Sequence, residues 1–214
     1  MTILLSNADH DTWTSYLQSW SDKIRDAASK RDGVLLVELS GPQATRENIE
    51  AAIEEHKPDL VIINGHGAPD IVYGHELRVL VHADENPEVL AGRVTQAISC
   101  WTADELGVKA VTAGARSYIG FSEKIFIWCE GRASHADRLQ DDYAKLFFDP
   151  VFETAIALVE GCDSQAALKR GQDRYAVALD VVTRSSMRNK MDVAAQLFHQ
   201  LSCFKLLGDG SAAC

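Results

Sequence analysis

The sequence has no cluster of lysine and arginine residues, and its formal net charge is −10. A net negative chain repels phosphate backbones and anionic lipid headgroups, so nucleic-acid and membrane partners are not expected. No window approaches the ~18 consecutive apolar residues that cross a bilayer. The apolar residues at the N-terminus stop after Leu5, which is too few for a secretory signal. We therefore expect a cytoplasmic protein.

Cysteine is scarce and scattered in this chain. The five cysteines are Cys100, Cys129, Cys162, Cys203 and Cys214, with no CxxC pair among them. An odd number of widely spaced cysteines is a poor basis for a disulfide framework or a structural zinc site. His66, His75 and His82 lie nine and seven residues apart, and these spacings match no helical pair of metal ligands. We therefore expect neither a metal nor another cofactor.

Apolar residues are numerous enough for a real core, since 46% of the 214 residues are hydrophobic and 24% are charged. Short apolar runs alternate with amphipathic patterns through the first two thirds of the chain. Strands are predicted at residues 2–5, 34–39, 60–63, 94–99, 117–121, 124–128 and 204–207. Helices are predicted at residues 13–27, 45–57, 104–113, 142–159, 164–179 and 191–201, with an interruption at Pro150.

This order of elements predicts an α/β fold, a three-layer αβα sandwich with a mostly parallel central sheet. We expect a single domain over residues 1–214. Its core is expected at about residues 1–128 and a mainly helical part at 140–207.

Two residues with nucleophile or acid–base chemistry follow predicted strands, where ligands of open parallel sheets bind. His66 stands between Gly65 and Gly67, which leave the backbone free to approach a substrate closely, and Cys100 ends another strand. A nearby imidazole or helix N-terminus favours the thiolate form of a cysteine. Because a helix is predicted soon after Cys100, we expect the pKa of its thiol to be modestly lowered. A lone cysteine at a strand end is, however, most often an inert core residue.

The sequence around these two residues resembles the caspase-like cysteine peptidases. The resemblance lies in Val-Ile-Ile-Asn-Gly-His-Gly at 61–67 and Ala-Ile-Ser-Cys at 97–100. Further segments are similar to the gingipain and CHAT branch: Leu-Gly at 106–107, Ala-Gly-Ala at 113–115, Tyr-Ile-Gly-Phe at 118–121 and Leu-Leu-Gly-Asp at 206–209. The histidine also precedes the cysteine, as in that family. Two positions depart from it: Ile98 stands where metacaspases carry an aspartate, and Gly210 where the branch has a proline.

The resemblance implies a caspase-like fold and a cysteine endopeptidase used in limited, regulated proteolysis. Cys100 would attack a peptide carbonyl, and His66 would protonate the leaving amine and later activate water. The N–H groups of Gly67 and Cys100 would form the oxyanion hole. The family requires no third acidic residue, so none is assigned. The partners implied are a protein or peptide substrate and a regulatory protein.

Substrate-binding residues are expected in two loops. In caspase-like enzymes the loop after the first strand contributes to the specificity pocket, and Asp9 in that loop would pair with an arginine or lysine of the substrate. Asp9 or Asp11 is also suited to capping the helix that follows. Glu123 follows the Tyr-Ile-Gly-Phe strand, where family members build substrate subsites.

Two other functions stay open on the sequence alone. One is a catalytically latent caspase-like module that signals through a partner protein, although pseudoenzymes usually lose the histidine or the cysteine. The other is a cysteine hydrolase or acyltransferase on a related α/β sheet that acts on an acyl substrate other than a peptide.

Overall fold

A computed structural model describes all residues from Met1 to Cys214. The nine strands are β1 (Thr2–Asn7), β2 (Leu35–Ser40), β3 (Leu60–Asn64), β4 (His66–Ala68), β5 (Ile71–Tyr73), β6 (Val79–His82), β7 (Val94–Ile98), β8 (Ser117–Phe121) and β9 (Phe204–Gly208). The eight α-helices are α1 (Thr12–Trp20), α2 (Asp22–Ser29), α3 (Arg46–His56), α4 (Glu105–Thr112), α5 (His135–Arg138), α6 (Asp142–Val159), α7 (Ser164–Arg184) and α8 (Lys190–Cys203).

The central sheet has six strands in the order β2-β1-β3-β7-β8-β9. All neighbours are parallel except β8 and β9, which are antiparallel. Alternate residues of the strands face two separate apolar cores, one containing Ile62 of β3 and the other Val61. Helices therefore cover both faces, and the predicted three-layer αβα sandwich with a mostly parallel sheet is confirmed.

The strand order reverses direction between β1 and β3. From β1 the chain passes to β2 on one side, and from β3 it continues to β7 on the other. At such a switch point the connections leave in opposite directions, and open sheets bind ligands beyond the carboxyl ends of the two strands there. A buried hydrogen-bond network joins these ends: Asn64 Nδ2 donates to Asn7 Oδ1 at 2.7 Å and to Ser21 Oγ at 3.0 Å. The network fixes the ends of β1 and β3 relative to each other.

Several predicted elements differ from those observed. The helix predicted at 13–27 is two helices, α1 and α2, which meet at Ser21, where the hydroxyl bonds Asn7 Oδ1 and the Leu17 carbonyl. The break predicted at Pro150 does not occur, because α6 runs through it while packed on α7 at Gly171. No strand forms at 124–128, since β7 and β9 already occupy both edges of β8.

A second sheet was not predicted. The short strands β4, β5 and β6 form an antiparallel sheet that projects from the end of β3. With three or four residues each, these strands are too short to show a hydrophobic period. None of the helices combines the length and the apolar composition needed to cross a lipid bilayer.

Candidate active site

His66 and Cys100 occupy equivalent positions at the carboxyl edge of the central sheet. Strands β3 and β7 pair in parallel with Asn64 opposite Ile98, so each residue lies two positions beyond this pair. The backbone is in close contact there: a Cβ added to Gly67 would lie 2.4 Å from the Cys100 carbonyl oxygen. The structure thus brings the two residues of the predicted dyad to one edge on neighbouring strands.

The His66 ring is held by a carboxylate that the sequence interpretation did not assign to it. His66 Nε2 lies 2.6 Å from Asp11 Oδ2, and the two side chains are about one-third and two-fifths exposed, at 33% and 40%. Because an ionised carboxylate only accepts hydrogen bonds, this contact assigns the proton to Nε2. In the neutral ring, Nδ1 then carries the free lone pair. This is the tautomer in which Nδ1 can accept a proton as a general base.

Asp11 is itself fixed by the start of α1. It is the N-cap residue, and its Oδ1 accepts hydrogen bonds from the Thr14 backbone N–H at 2.8 Å and the Thr14 hydroxyl at 2.9 Å. Burial alone would raise the pKa of the Asp11 carboxyl, but the hydrogen bonds from Thr14 and His66 outweigh it and lower this pKa. The predicted capping role is therefore present at Asp11, and the same carboxylate also orients His66.

Cys100 lies in a tight turn rather than at a helix N-terminus. The next residue, Trp101, adopts a left-handed backbone with φ of +59°, a conformation that costs a non-glycine residue about 1–3 kcal/mol. Helix α4 begins only at Glu105, so its N-terminus is too far along the chain to stabilise a thiolate directly. A strained residue directly after a candidate nucleophile is typical of turns that present a reactive side chain.

The irregular segment 122–130, named here the covering segment, lies over Cys100. Cys100 Sγ donates a hydrogen bond to the Ile125 carbonyl at 3.7 Å, and no hydrogen bond joins the thiol to the His66 ring. Burial raises the pKa of the Cys100 thiol, although this hydrogen bond and the charge of Lys124 act in the opposite direction. The expected lowering of this pKa is therefore wrong for the conformation observed.

The covering segment is anchored at its backbone carbonyls. Gln200 Nε2 donates to the Phe126 carbonyl at 2.6 Å, and His199 Nε2 contacts the Lys124 carbonyl at 2.9 Å. The Lys124 ammonium lies 5.8 Å from the centre of the Trp101 ring, within the range of a cation–π contact. These contacts from α8 and from the Cys100 turn hold the segment in place.

The two residues predicted to donate to the oxyanion lie against each other at this edge. The backbone N–H of Cys100 donates to no other group. Gly67 pairs with Val72 of β5 and packs against the Cys100 turn. A side chain does not fit at Gly67, because its Cβ would lie only 2.6 Å from Thr102 Cγ2. The close approach observed at Gly67 is therefore to the Cys100 turn, whereas the sequence led us to expect an approach to a substrate.

The predicted substrate-binding residues lie on opposite sides of this edge. Asp9 is exposed, takes part in no ion pair, and accepts a hydrogen bond from Ser15 Oγ at 2.6 Å. Glu123 belongs to the covering segment, where its carbonyl accepts from the Trp101 N–H at 3.1 Å and its side chain lies 3.8 Å from His199 Nε2. Asp9 therefore neighbours the His66 side of the site, and Glu123 the Cys100 side.

Two further residues of the site escaped the sequence interpretation. Asp11 carries a detectable signal, because an aspartate three residues before Thr14 is an N-cap pattern in the loop after β1. His10 carries none, yet its ring centre lies 5.7 Å from that of His66 and 5.4 Å from that of His75. His10, Asp11 and His66 together form a group of side chains able to hold a metal ion.

Comparisons with known proteins give only remote likenesses. No family model matches the chain, and no curated protein matches it. Among solved structures, an inactive zymogen of a C11 protease from Parabacteroides distasonis aligns with a TM-score of 0.43 and 12% identity, over 96% of this chain and 83% of that chain. The response regulator domain of CheB from Thermotoga maritima aligns with a TM-score of 0.35 and 10% identity, over 73% of this chain and 96% of the domain. Likeness at this level carries no argument about function.

Proposed function

We propose that this chain is a cysteine endopeptidase of the caspase-like kind, in which Cys100 and His66 act as a dyad. The observation that carries the proposal is the register of β3 and β7, which pairs Asn64 with Ile98. His66 and Cys100 each follow this pair by two residues, at the edge where open sheets bind ligands, and this supports their pairing as a dyad. The sequence resemblance to caspase-like peptidases rests on these same two segments.

In the proposed reaction, Cys100 Sγ attacks the carbonyl carbon of a peptide bond and forms a thioester acyl-enzyme. His66 Nδ1 takes the thiol proton and delivers it to the leaving amine, and then activates the water that releases the acyl group. The contact of His66 Nε2 with Asp11 at 2.6 Å supports this division of roles. Asp11 fixes the tautomer and stabilises the imidazolium as it forms.

The free N–H of Cys100 is suited to stabilise the oxyanion of the tetrahedral intermediate. We assign the second donor to Gly67, whose backbone lies against the Cys100 turn. A side chain at this position would separate the two backbones and move the donors apart.

For the residue before the cleaved bond, we propose arginine or lysine. Asp9 follows β1 at the switch point and has no cationic partner of its own. A carboxylate in that position pairs favourably with a guanidinium or ammonium group. Glu123, on the other side of the site, is proposed to contact the substrate beyond the specificity pocket.

One observation favours a second candidate, a latent form that requires a partner. The covering segment accepts the Cys100 hydrogen bond through Ile125, and burial keeps the thiol protonated. A nucleophile in this state reacts slowly until the segment moves. Binding of a regulatory protein or of the substrate itself to the covering segment would release it.

The test is labelling and cleavage with matched variants. A library of fluorogenic peptides that differ before the cleaved bond is incubated with the wild-type protein, Cys100→Ala and Cys162→Ala, the last being a half-buried cysteine that serves as control. A peptidyl electrophile with arginine before its reactive group is followed by mass spectrometry. We expect cleavage after arginine or lysine and a label on Cys100, both lost only in Cys100→Ala.

The outcomes separate the alternatives. Label on Cys100 without turnover of any peptide supports the latent form. Cleavage after aspartate keeps the dyad and rejects the role of Asp9. Cleavage that persists in Cys100→Ala, or the absence of both label and cleavage after the covering segment has been loosened by Gln200→Ala, rejects the peptidase.

A further inference from the structure

The loop after β1 and the start of β4 bring three possible metal ligands together. One ligand atom from each of His10, Asp11 and His66 can be chosen so that all three lie within 4.8 Å of one another. Asp11 Oδ2 lies 3.8 Å from His10 Nε2 and 2.6 Å from His66 Nε2. Two imidazoles and a carboxylate are a ligand set that zinc uses where one further coordination position stays open.

His10 provides a second, independent observation. Its side chain is only 14% exposed, and both ring nitrogens are buried without a hydrogen-bond partner. A neutral imidazole always carries one N–H, and a buried N–H without an acceptor costs about 1–3 kcal/mol. The other ring nitrogen carries a lone pair that is also buried without a partner, and coordination of a metal ion at Nε2 would satisfy this acceptor.

The geometry of the three groups is close to what a zinc ion needs. Bonds of about 2.0–2.1 Å in a tetrahedral arrangement place ligand atoms roughly 3.3 Å apart. The His10–Asp11 separation of 3.8 Å would contract by about half an ångström, and the His66–Asp11 contact of 2.6 Å would open by somewhat less than 1 Å. The third separation, between His10 and His66, lies within 4.8 Å and would contract by at most about 1.5 Å. Rotation of Asp11 and His66, which are partly exposed, would supply most of these changes.

We infer that His10, Asp11 and His66 form a binding site for a zinc ion. The site lies at the switch point between β1 and β3. A zinc ion there would occupy His66 Nε2 and Asp11, so the carboxylate would no longer orient the imidazole. Bound zinc would thereby inhibit proton transfer to and from Cys100, a consequence that rests on the proposed peptidase function.

Binding is tested in Cys100→Ala, which removes the nucleophilic thiol and any peptidase activity from the measurement. Zinc is titrated into this variant against a chromogenic zinc chelator, and the stoichiometry and Kd are compared in three further proteins. These are Cys100→Ala combined with His10→Ala, with His10→Asn, and with His56→Ala, the last being a histidine on α3 away from the cluster. Circular dichroism and thermal melting establish that each variant is folded.

We expect one zinc ion per chain in Cys100→Ala and in the His56 variant. Both His10 variants should bind at least ~10-fold more weakly. Zinc should also protect His66, which is 33% exposed, but not His56, from modification by diethylpyrocarbonate in the Cys100→Ala protein. Equal affinity with and without His10, or equal modification with and without zinc, would overturn the site, whether or not the protein is a peptidase.

Inhibition is tested separately in proteins that retain Cys100. The ratio of peptide cleavage with and without micromolar zinc is measured for wild type and for His10→Asn. We expect zinc to inhibit peptide cleavage by wild type strongly, and to inhibit cleavage by His10→Asn at least several-fold more weakly. Equal inhibition of both would show that zinc acts on the thiol, and would reject the regulatory role while leaving the binding result intact.

Discussion

The two halves of the candidate site are surrounded by very different structure. On the His66 side, Asp11 ends the loop after β1 and caps the N-terminus of α1. Its carboxylate accepts a hydrogen bond from the Thr14 N–H and also contacts the His66 imidazole. On the Cys100 side, the covering segment is irregular and leaves the thiol half-buried against a backbone carbonyl. The imidazole of His66 is thus held in one orientation, whereas the thiol of Cys100 is shielded.

This difference separates two properties that an active site needs. Orientation of His66 depends on Asp11, whose carboxylate is fixed by Thr14 in the first turn of α1. Access to Cys100 depends on long-range contacts between the covering segment and α8, which can break without disturbing the sheet. A protein built in this way can change its reactivity through the segment alone. Four predictions test the comparison, from the largest expected effect to the smallest.

The strongest test removes the carboxylate that orients His66. Asp11→Asn keeps an efficient N-cap, since asparagine caps as well as aspartate, but it removes the charge that stabilises the imidazolium. We expect peptide cleavage to fall by about 10²-fold while the urea midpoint changes little. Asp11→Ala should show the same kinetic loss and in addition lose about 1 kcal/mol of unfolding free energy. Full activity in Asp11→Asn would contradict the role of this residue.

The second test separates the two strands at the site. In Gly67→Ala the new Cβ would meet the Cys100 carbonyl oxygen at 2.4 Å, which forces the backbone to shift. We expect a loss of about 1–3 kcal/mol in unfolding free energy from chemical denaturation. Gly210→Ala is the matched control, because its nearest neighbour is 3.4 Å away. Equal stability of the two variants would show that the close approach at Gly67 is not required.

The third test loosens the covering segment. Gln200→Ala removes the hydrogen bond to the Phe126 carbonyl and leaves the Tyr175 hydroxyl without its acceptor. We expect iodoacetamide to alkylate Cys100 about fivefold faster, equivalent to the loss of roughly 1 kcal/mol from the closed state. Ser202→Ala, also on α8, should leave the rate unchanged. An unaltered rate in Gln200→Ala would mean that the segment does not shield the thiol.

The smallest effect concerns pH. The pKa of Asp11 is lower in the folded protein than its ordinary value. The contacts of its carboxylate therefore stabilise the fold fully at any pH above the ordinary pKa. The contribution is lost as the pH falls through the lowered pKa. Because Asp11 is 40% exposed, solvent screening limits it to less than about 1 kcal/mol. Urea midpoints from pH 5 to pH 2 should decline less steeply in Asp11→Asn than in wild type; identical slopes would contradict the coupling.

Local signals in the sequence were sufficient for much of the fold. A helix was predicted to begin at Thr45, and Thr45 caps α3 by accepting a hydrogen bond from the Asn48 N–H. The apolar run predicted as a strand before Asn64 is a strand buried on both faces. Such features depend on a few neighbouring residues. The split of α1 from α2 at Ser21 was missed because its cause, a bond to Asn7 in β1, is a contact between distant parts of the chain.

In the candidate site, too, features set by neighbouring residues could be predicted, and contacts between distant parts of the chain could not. His66 and Cys100 were identified because each follows a recognisable strand, and parallel pairing then brings them together. The contact of Asp11 with His66 spans 55 residues, and the contact of Cys100 with Ile125 depends on how α8 anchors the covering segment. Neither could be predicted from residue spacing. Burial of Cys100 reverses the expected direction of the thiol pKa shift.

The antiparallel pairing of β9 with β8 has a consequence for the synthesis of this protein. Ser117 pairs with Gly208, so the outer edge of β8 has no partner until α6, α7 and α8 have left the ribosome. During this interval an apolar strand with free backbone groups is open to pairing with other nascent chains. Slow translation of the helical third would lengthen that exposure, and a chaperone that binds extended apolar segments would have its natural substrate at residues 117–121.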